Sequence, residues 1–327
     1  MERKKQISDM ITVSRAIALI SIVSAHILFT TGTPELITEF YKKIASIGVV
    51  TYMVISGYLY SPEHYGGFGK MIVKKLSSIG VPWLFLGTVG YLYNAVLSRN
   101  LSVYSYLKFI IGNGSYLYFM TMLFLCFVIG YFIKGRAIKI IFICVNILSI
   151  ELTAAGILDP VIKSLHITNY LNIFNWLGFF MFGNLISSID PGILFDFIKK
   201  TRLVFVAAFV LLTGAFIIFD VKTGYFSFVG WAYELVGAMA IFGISSISKL
   251  NMPLLRTVSN YSFSVYLIHF MVIGVMDRIY NLFVPLQVVA NILVIAVSVL
   301  AIYLCLLIAK IIKLDKIASM LFGVRKR

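Results

Sequence analysis

Apolar residues run along this chain in long blocks, not in the short alternations of a half-buried sheet. Ten blocks stand between short polar stretches, at 10–31, 44–61, 79–97, 115–133, 137–157, 170–189, 203–220, 228–248, 259–277 and 287–312. A helix rises about 1.5 Å per residue and the hydrocarbon layer of a bilayer is about 30 Å thick, so about 20 apolar residues cross it. Blocks of this length predict an all-α polytopic membrane protein of about ten transmembrane helices. The polar stretches between them are too short to hold a separate soluble core, so residues 1–327 are expected to form one membrane domain. The longest polar stretches run from Ser61 to Ser78 and from Ser98 to Gly114. The second is rich in Tyr and Ser, which suits an interfacial lid or a partly re-entrant segment. No internal repeat is evident.

Charge gives these blocks an orientation. With the N-terminus in the cytoplasm, the inner loops and tails hold 20 Lys and Arg and the outer loops 7, with Arg15 in the membrane. That asymmetry is the positive-inside signature and places both termini in the cytoplasm. It also explains the net charge of +15 without nucleic acid, because the basic residues sit in short inter-block loops. The first block is no cleavable leader: it is too long, carries two ionisable residues and lacks a small-residue cleavage pattern. Cys126, Cys144 and Cys305 lie inside apolar blocks at unrelated spacings and read as small buried hydrophobes, with no metal site expected. The basic tail from Lys310 to Arg327 suits anionic headgroups.

Candidate chemistry begins in the first block, where Arg15 and His26 interrupt the apolar run. Eleven residues at 3.6 per turn are almost three turns, so both side chains share one helix face, about 16 Å apart along the axis. Inserting an Arg there costs about 2.5–3.5 kcal/mol, so a partner or a wet cavity is expected. Arg15 has two readings, a snorkelling anchor or an anion clamp for phosphate or carboxylate. His26 reads as a hydrogen-bonded structural residue or, on a stripe shared with Arg15, as a general base for a hydroxyl. Ser56-Gly57 suits close helix packing first and a donor contact second. Lys70, Lys74 and Lys75 form a surface cluster that serves orientation or meets a phosphorylated donor. The GGFGK stretch lacks the ending and strand–helix context of a nucleotide loop. Tyr116-Leu117-Tyr118-Phe119 reads as an aromatic belt. Glu234, between Trp231 and Gly237, is the more suspicious of two intramembrane acids, the other being Glu151. Tyr266 and His269 sit at mid-depth in the ninth block, where His269 is able to face His26. His64 and His166, in loops, are assigned no chemistry.

Taken together, Arg15-x10-His26, ISGYL at Ile55–Leu59, the basic stretch and IxxP step from Lys74 to Pro82, and SFSVYLIH at Ser262–His269 resemble acyltransferase family 3, in order and over essentially the whole chain. The resemblance implies ten spans, an acyl-CoA donor (usually acetyl-CoA) from the cytosol, and a sugar hydroxyl as acceptor. It makes Arg15 and His26 the essential pair. The chain departs from the pattern in three places: Lys74 and Lys75 followed by Ser77-Ser78 where arginines are common, Tyr116-Leu117-Tyr118-Phe119 in place of a His-Leu-Trp-Phe step, and Thr12 in place of an acidic residue. The sequence given continues into no SGNH-type domain, so the membrane domain is expected to complete the transfer or pass the group to a separate protein.

The expectation is therefore an O-acyltransferase of a bacterial cytoplasmic membrane acting on a cell-surface or lipid-linked polysaccharide. Arg15, Lys74, Lys75 and Ser56 would hold the donor. His26 would act as base, Tyr266 or His269 would stabilise the oxyanion, and Glu234 would orient an imidazole. Membrane lipids, further copies of the chain or separate polysaccharide-biosynthesis proteins are the other implied partners. The rival reading is a transporter or flippase for the polysaccharide or its precursor; it predicts matched broken helices in the two halves, and none is convincing.

Overall fold

The computed structural model describes residues 2–27, 39–40, 43–44, 46–221, 225–247, 252–280 and 287–324. Among them the secondary structure is entirely helical: α1 (Glu2–His26), α2 (Ile47–Tyr58), α3 (Phe68–Lys75), α4 (Val81–Ser98), α5 (Val103–Ile111), α6 (Tyr118–Phe132), α7 (Arg136–Ala154), α8 (Asp159–Ser164), α9 (Phe174–Ile186), α10 (Pro191–Ile218), α11 (Phe228–Ser245), α12 (Pro253–Tyr280), α13 (Gln287–Ile311) and α14 (Asp315–Leu321). Seven stretches are long and apolar enough to cross a membrane: α1, the run Phe68–Ser98, α7, α10, α11, Pro253–Met276 of α12 and Ile292–Ile311 of α13. Helices α2, α6 and α9 are also apolar but hold 12, 15 and 13 residues. At about 1.5 Å per residue each alone falls short of a 30 Å layer. The chain is a multi-pass membrane protein.

Every apolar block contains one of these helices, but several helices begin well before their block. The stretch with Lys70, Lys74 and Lys75, expected as loop, is α3; a π-helical turn at Leu76–Gly80 joins it to α4. Pro82 in the first turn of α4 brings no N–H to the ladder, and the widened turn absorbs its ring. Helix α10 likewise starts at Pro191, ahead of Lys199, Lys200 and Arg202. Its start is set by Asp190, whose carboxylate accepts from the N–H groups of Gly192 (2.8 Å) and Ile193 (3.2 Å). Lys and Arg are good helix formers, so caps and not hydropathy decide where these helices begin.

Helix α1 is the hub, packed against α2, α10, α11, α12 and α13. Of its most apolar window 67% is buried, against 11% for α10, which faces outward. Two glycines set the crossing of α2 and α9. A Cβ on Gly57 would stand 1.9 Å from the Phe180 carbonyl oxygen, and one on Gly183 would stand 2.0 Å from that of Val54. Asn184 then closes the end of α2, donating to the carbonyls of Gly57 (3.1 Å) and Tyr60 (2.7 Å). Gly57 of ISGYL is thus a packing residue. At the N-terminal end of α1, Asp9 pairs with Arg256 at 3.6 Å, and Ser264 donates to the Phe322 carbonyl, docking the chain after α14.

The cysteines correct one expectation. Cys126 is buried, but Cys144 and Cys305 are exposed on the outer faces of the bundle. A lipid-facing surface is as apolar as a core, so hydropathy does not separate the two positions. Glu151 acquires a structural role: its carboxylate accepts from the Phe228 N–H at the start of α11, where the helix dipole favours an anion. Lys43 is buried and donates to the Val221 carbonyl at 2.5 Å, beyond the end of α10.

Candidate functional site

At the C-terminal end of α1 the bundle opens into a cavity of about 740 Å³. His26, in the last turn of α1, is on its wall with Ile22 and Ala25; Ser46 and Val49 continue it, and Asn94, Phe109, Ser115, Tyr116, Tyr118, Thr168, Tyr170, Tyr225 and Phe270 close it. This size suits a small organic ligand or a sugar residue, for which pockets of about 300–1,000 Å³ are usual.

Helix α12 brings its own imidazole to the same place. The ring centroids of His26 and His269 are 5.3 Å apart, and Phe270 packs on both, 4.4 Å from His26 and 4.9 Å from His269. His26 is half-buried at the cavity wall; His269 is fully buried behind it. The Nδ1 of His269 lies 2.5 Å from the Tyr266 carbonyl oxygen, one helical turn back. A carbonyl only accepts, so Nδ1 carries the hydrogen and Nε2 is left with its lone pair in the neutral ring. That Nε2 is buried without a hydrogen-bond partner.

Tyr116 locks this arrangement. Its hydroxyl donates to the Leu267 carbonyl at 2.6 Å, and its own carbonyl accepts from the Tyr266 hydroxyl. Its ring stacks on Phe270 at 4.5 Å and meets His269 edge-on at 5.2 Å. This residue, near the start of the fourth block, thereby holds α12 by the Leu267 carbonyl and by the Tyr266 side chain. The Tyr266 hydroxyl is committed to this lock.

Arg15 lies three turns back along α1, half-buried, with its carbonyl accepting from the Tyr52 hydroxyl of α2 at 2.8 Å. Tyr52 also feels the Arg15 charge and bonds Ser262 of α12, so the middles of three helices meet here. The proposed donor contacts lie elsewhere. Lys75 places its ammonium 3.3 Å from the centroid of Phe127, with Tyr60 at 5.5 Å and Tyr65 at 5.7 Å; Lys74, exposed, sits over Tyr65 at 5.2 Å. The turn carrying Tyr65 is held by a Ser61–Glu63 hydrogen bond of 2.9 Å. That bond and the residue's own backbone N–H keep the Glu63 carboxyl below its ordinary range. Ser56 is half-buried on α2 and lines no part of the cavity.

Glu234 is 1% exposed. Its carboxyl lies within reach of the Ser46 hydroxyl, while one oxygen has no partner. The structure brings it to the cavity wall through Ser46 but to neither imidazole.

The family comparison adds the decisive finding: a family model described as an acyltransferase domain matches residues 10–310. The chain belongs to acyltransferase family 3. No curated protein and no solved structure matches it. For this family-3 chain the matched span contains the whole bundle from Met10 of α1 to Lys310 of α13. Tyr116 is the site residue that sequence reasoning passed over. A signal was present, since Tyr116 stands where the resemblance places the His of a His-Leu-Trp-Phe step, yet a Tyr at a span end reads equally well as an interfacial anchor.

Proposed function

We propose that this family-3 acyltransferase moves an acyl group, acetyl in the simplest case, from cytosolic acyl-CoA to a hydroxyl of a surface or lipid-linked polysaccharide. In this reading the chain crosses a bacterial plasma membrane ten times with both termini inside, so that the cavity at His26 faces outward. One observation carries the proposal: His26 lines a cavity of about 740 Å³, backed by a second imidazole, on the same helix that carries Arg15 three turns back.

The residues divide the work along α1. The Arg15 guanidinium supplies a planar fork for a phosphate of the CoA head, with Lys74 and Lys75 assisting at the inner surface, and the thioester reaches into the bundle to His26. His26 takes the proton of the acceptor hydroxyl, and the sugar oxygen attacks the thioester carbonyl. The C–S bond breaks, and His26 returns the proton to the departing thiolate, so the imidazole is regenerated. His269 acts behind it: fixed by the Tyr266 carbonyl, its accepting Nε2 supports the charge that His26 gains. It is a positioning residue, and Tyr116 holds it in place.

The test is the acyl content of the surface polysaccharide in cells with wild type, His26→Ala or Arg15→Ala at matched membrane expression. Loss of the ester in both variants with polymer export unchanged is the expected result. Loss of surface polymer with unchanged acylation per sugar would overturn it in favour of transport.

A further inference from the structure

Away from His26 the cavity changes character. Tyr118, Tyr170 and Tyr225 form its wall, backed by the buried Trp176: Tyr118 and Tyr170 have centroids 4.7 Å apart, and Trp176 lies 5.5 Å from Tyr118 and 5.2 Å from Tyr225. Three turns and helix starts bring them together. Tyr118 opens α6, Tyr170 sits in the 3-10 turn Asn169–Leu171, and Tyr225 stands just before α11.

Three polar atoms at and behind this wall are unsatisfied. The Thr168 hydroxyl, on the cavity lining, is buried without a hydrogen-bond partner, and so is the side-chain oxygen of neighbouring Asn169. The Glu234 carboxyl, reaching the lining through Ser46, keeps one oxygen unpartnered. Buried polar atoms are nearly always hydrogen-bonded, and each orphan is destabilising, so several beside one aromatic wall point to a ligand that supplies the partners. An aromatic face for C–H surface, ringed by groups seeking hydroxyls, is the chemistry of a sugar ring. None of the described lining residues is Lys or Arg, so a uronate carboxylate would enter this wall without a cationic partner.

We infer that Tyr118, Tyr170 and Tyr225, with Thr168 and the Ser46–Glu234 pair, form a subsite that holds an uncharged pyranose of the acceptor and so selects what reaches His26. The inference rests on the acyltransferase reading for the identity of the ligand as acceptor, but not for its binding. The experiment uses the full chain in lipid nanodiscs with methyl β-glucoside, methyl β-galactoside and methyl β-glucuronide as probes. Binding is followed by tryptophan fluorescence, and acetyl transfer from radiolabelled acetyl-CoA is followed in parallel. For the wild type, one of the neutral glycosides is expected to bind and the glucuronide to bind at least about tenfold more weakly. Tyr170→Ala is expected to weaken binding, or to raise the glycoside KM more than it lowers kcat, by about tenfold, with Tyr170→Trp restoring it. Neutral-glycoside binding that Tyr170→Ala and Tyr225→Ala leave unchanged, absence of any glycoside binding, or equal binding of glucuronide overturns the subsite. Tyrosine-dependent binding without acetyl transfer keeps the subsite and sinks the acyltransferase reading.

Discussion

The reactive geometry of this chain depends on which nitrogen of His269 is occupied. With Nδ1–H given to the Tyr266 carbonyl, Nε2 is the accepting atom behind His26. His269→Asn keeps a polar side chain but lacks an imidazole to share the charge. It is expected to lower kcat by about 10²–10⁴-fold, the usual scale for acid–base groups, with KM for donor and acceptor little changed. Steady-state kinetics with both substrates varied checks this; a KM effect with full kcat would remove His269 from the proton path. Tyr116→Phe deletes one hydrogen bond, to Leu267, and leaves the stacking on Phe270 intact. The lost bond is expected to cost about 1 kcal/mol in detergent unfolding, the Leu267 carbonyl keeping its place in the α12 ladder, together with a drop in kcat as α12 loosens around His269. Arg15 and His26 were legible in the sequence because a charge and an imidazole in an apolar block have no ordinary reason to be there. Tyr116 was not, because the interactions that matter are to the Tyr266 hydroxyl and the Leu267 carbonyl, 150 and 151 residues away. Glu234 was legible as suspicious, but its neighbour Ser46 comes from a different helix start and carries no local signal.

At the scale of elements, hydropathy located every apolar helix but misjudged where several begin, since a run of lysines continues a helix as readily as it ends a span. The shortness of α2, α6 and α9 was not visible either, because a block of apolar residues does not show where a turn cuts it. The α2–α9 contact tells most about why they are short and close. Gly183→Ala brings a methyl group to 2.0 Å from the Val54 carbonyl oxygen, a backbone atom with nowhere to go. The crossing must open, and the expected result is destabilisation of at least about 1–3 kcal/mol, seen as aggregation or a lowered melting temperature in detergent. Gly214→Ala in α10 is the matched control: nothing lies within 4 Å of the added methyl, and the helix gains the propensity of Ala, so it is expected to be neutral or stabilising by up to about 1 kcal/mol. Equal behaviour of the two variants would show that the close approach of α2 and α9 is not needed for the fold.

For the whole molecule the open question is which side each end of the bundle faces, because the proposed chemistry has a direction. In the proposed function donor and acceptor come from opposite sides, and α1 carries Arg15 at mid-helix and His26 at its C-terminal end. On the positive-inside reading of the Lys and Arg distribution the N-terminus would lie inside, which would turn the cavity at His26 outward. Two connections sample the two faces. Asn113 lies between α5 and α6 beside the cavity-lining Gly112 and Gly114, and Lys134 lies between α6 and α7 at the far end of α6. With Cys126, Cys144 and Cys305 changed to Ser, a single cysteine at either position reports its side through a membrane-impermeant maleimide. Asn113→Cys is expected to be labelled in intact cells, and Lys134→Cys only after the membrane is opened. The reverse pattern would turn the tyrosine wall toward the cytosol, where an exported polysaccharide is not accessible, and the acceptor would then have to be a precursor modified before export. Labelling of both in intact cells would mean that α6, at 15 residues, does not separate the two compartments, and the ten-span count would fall with it.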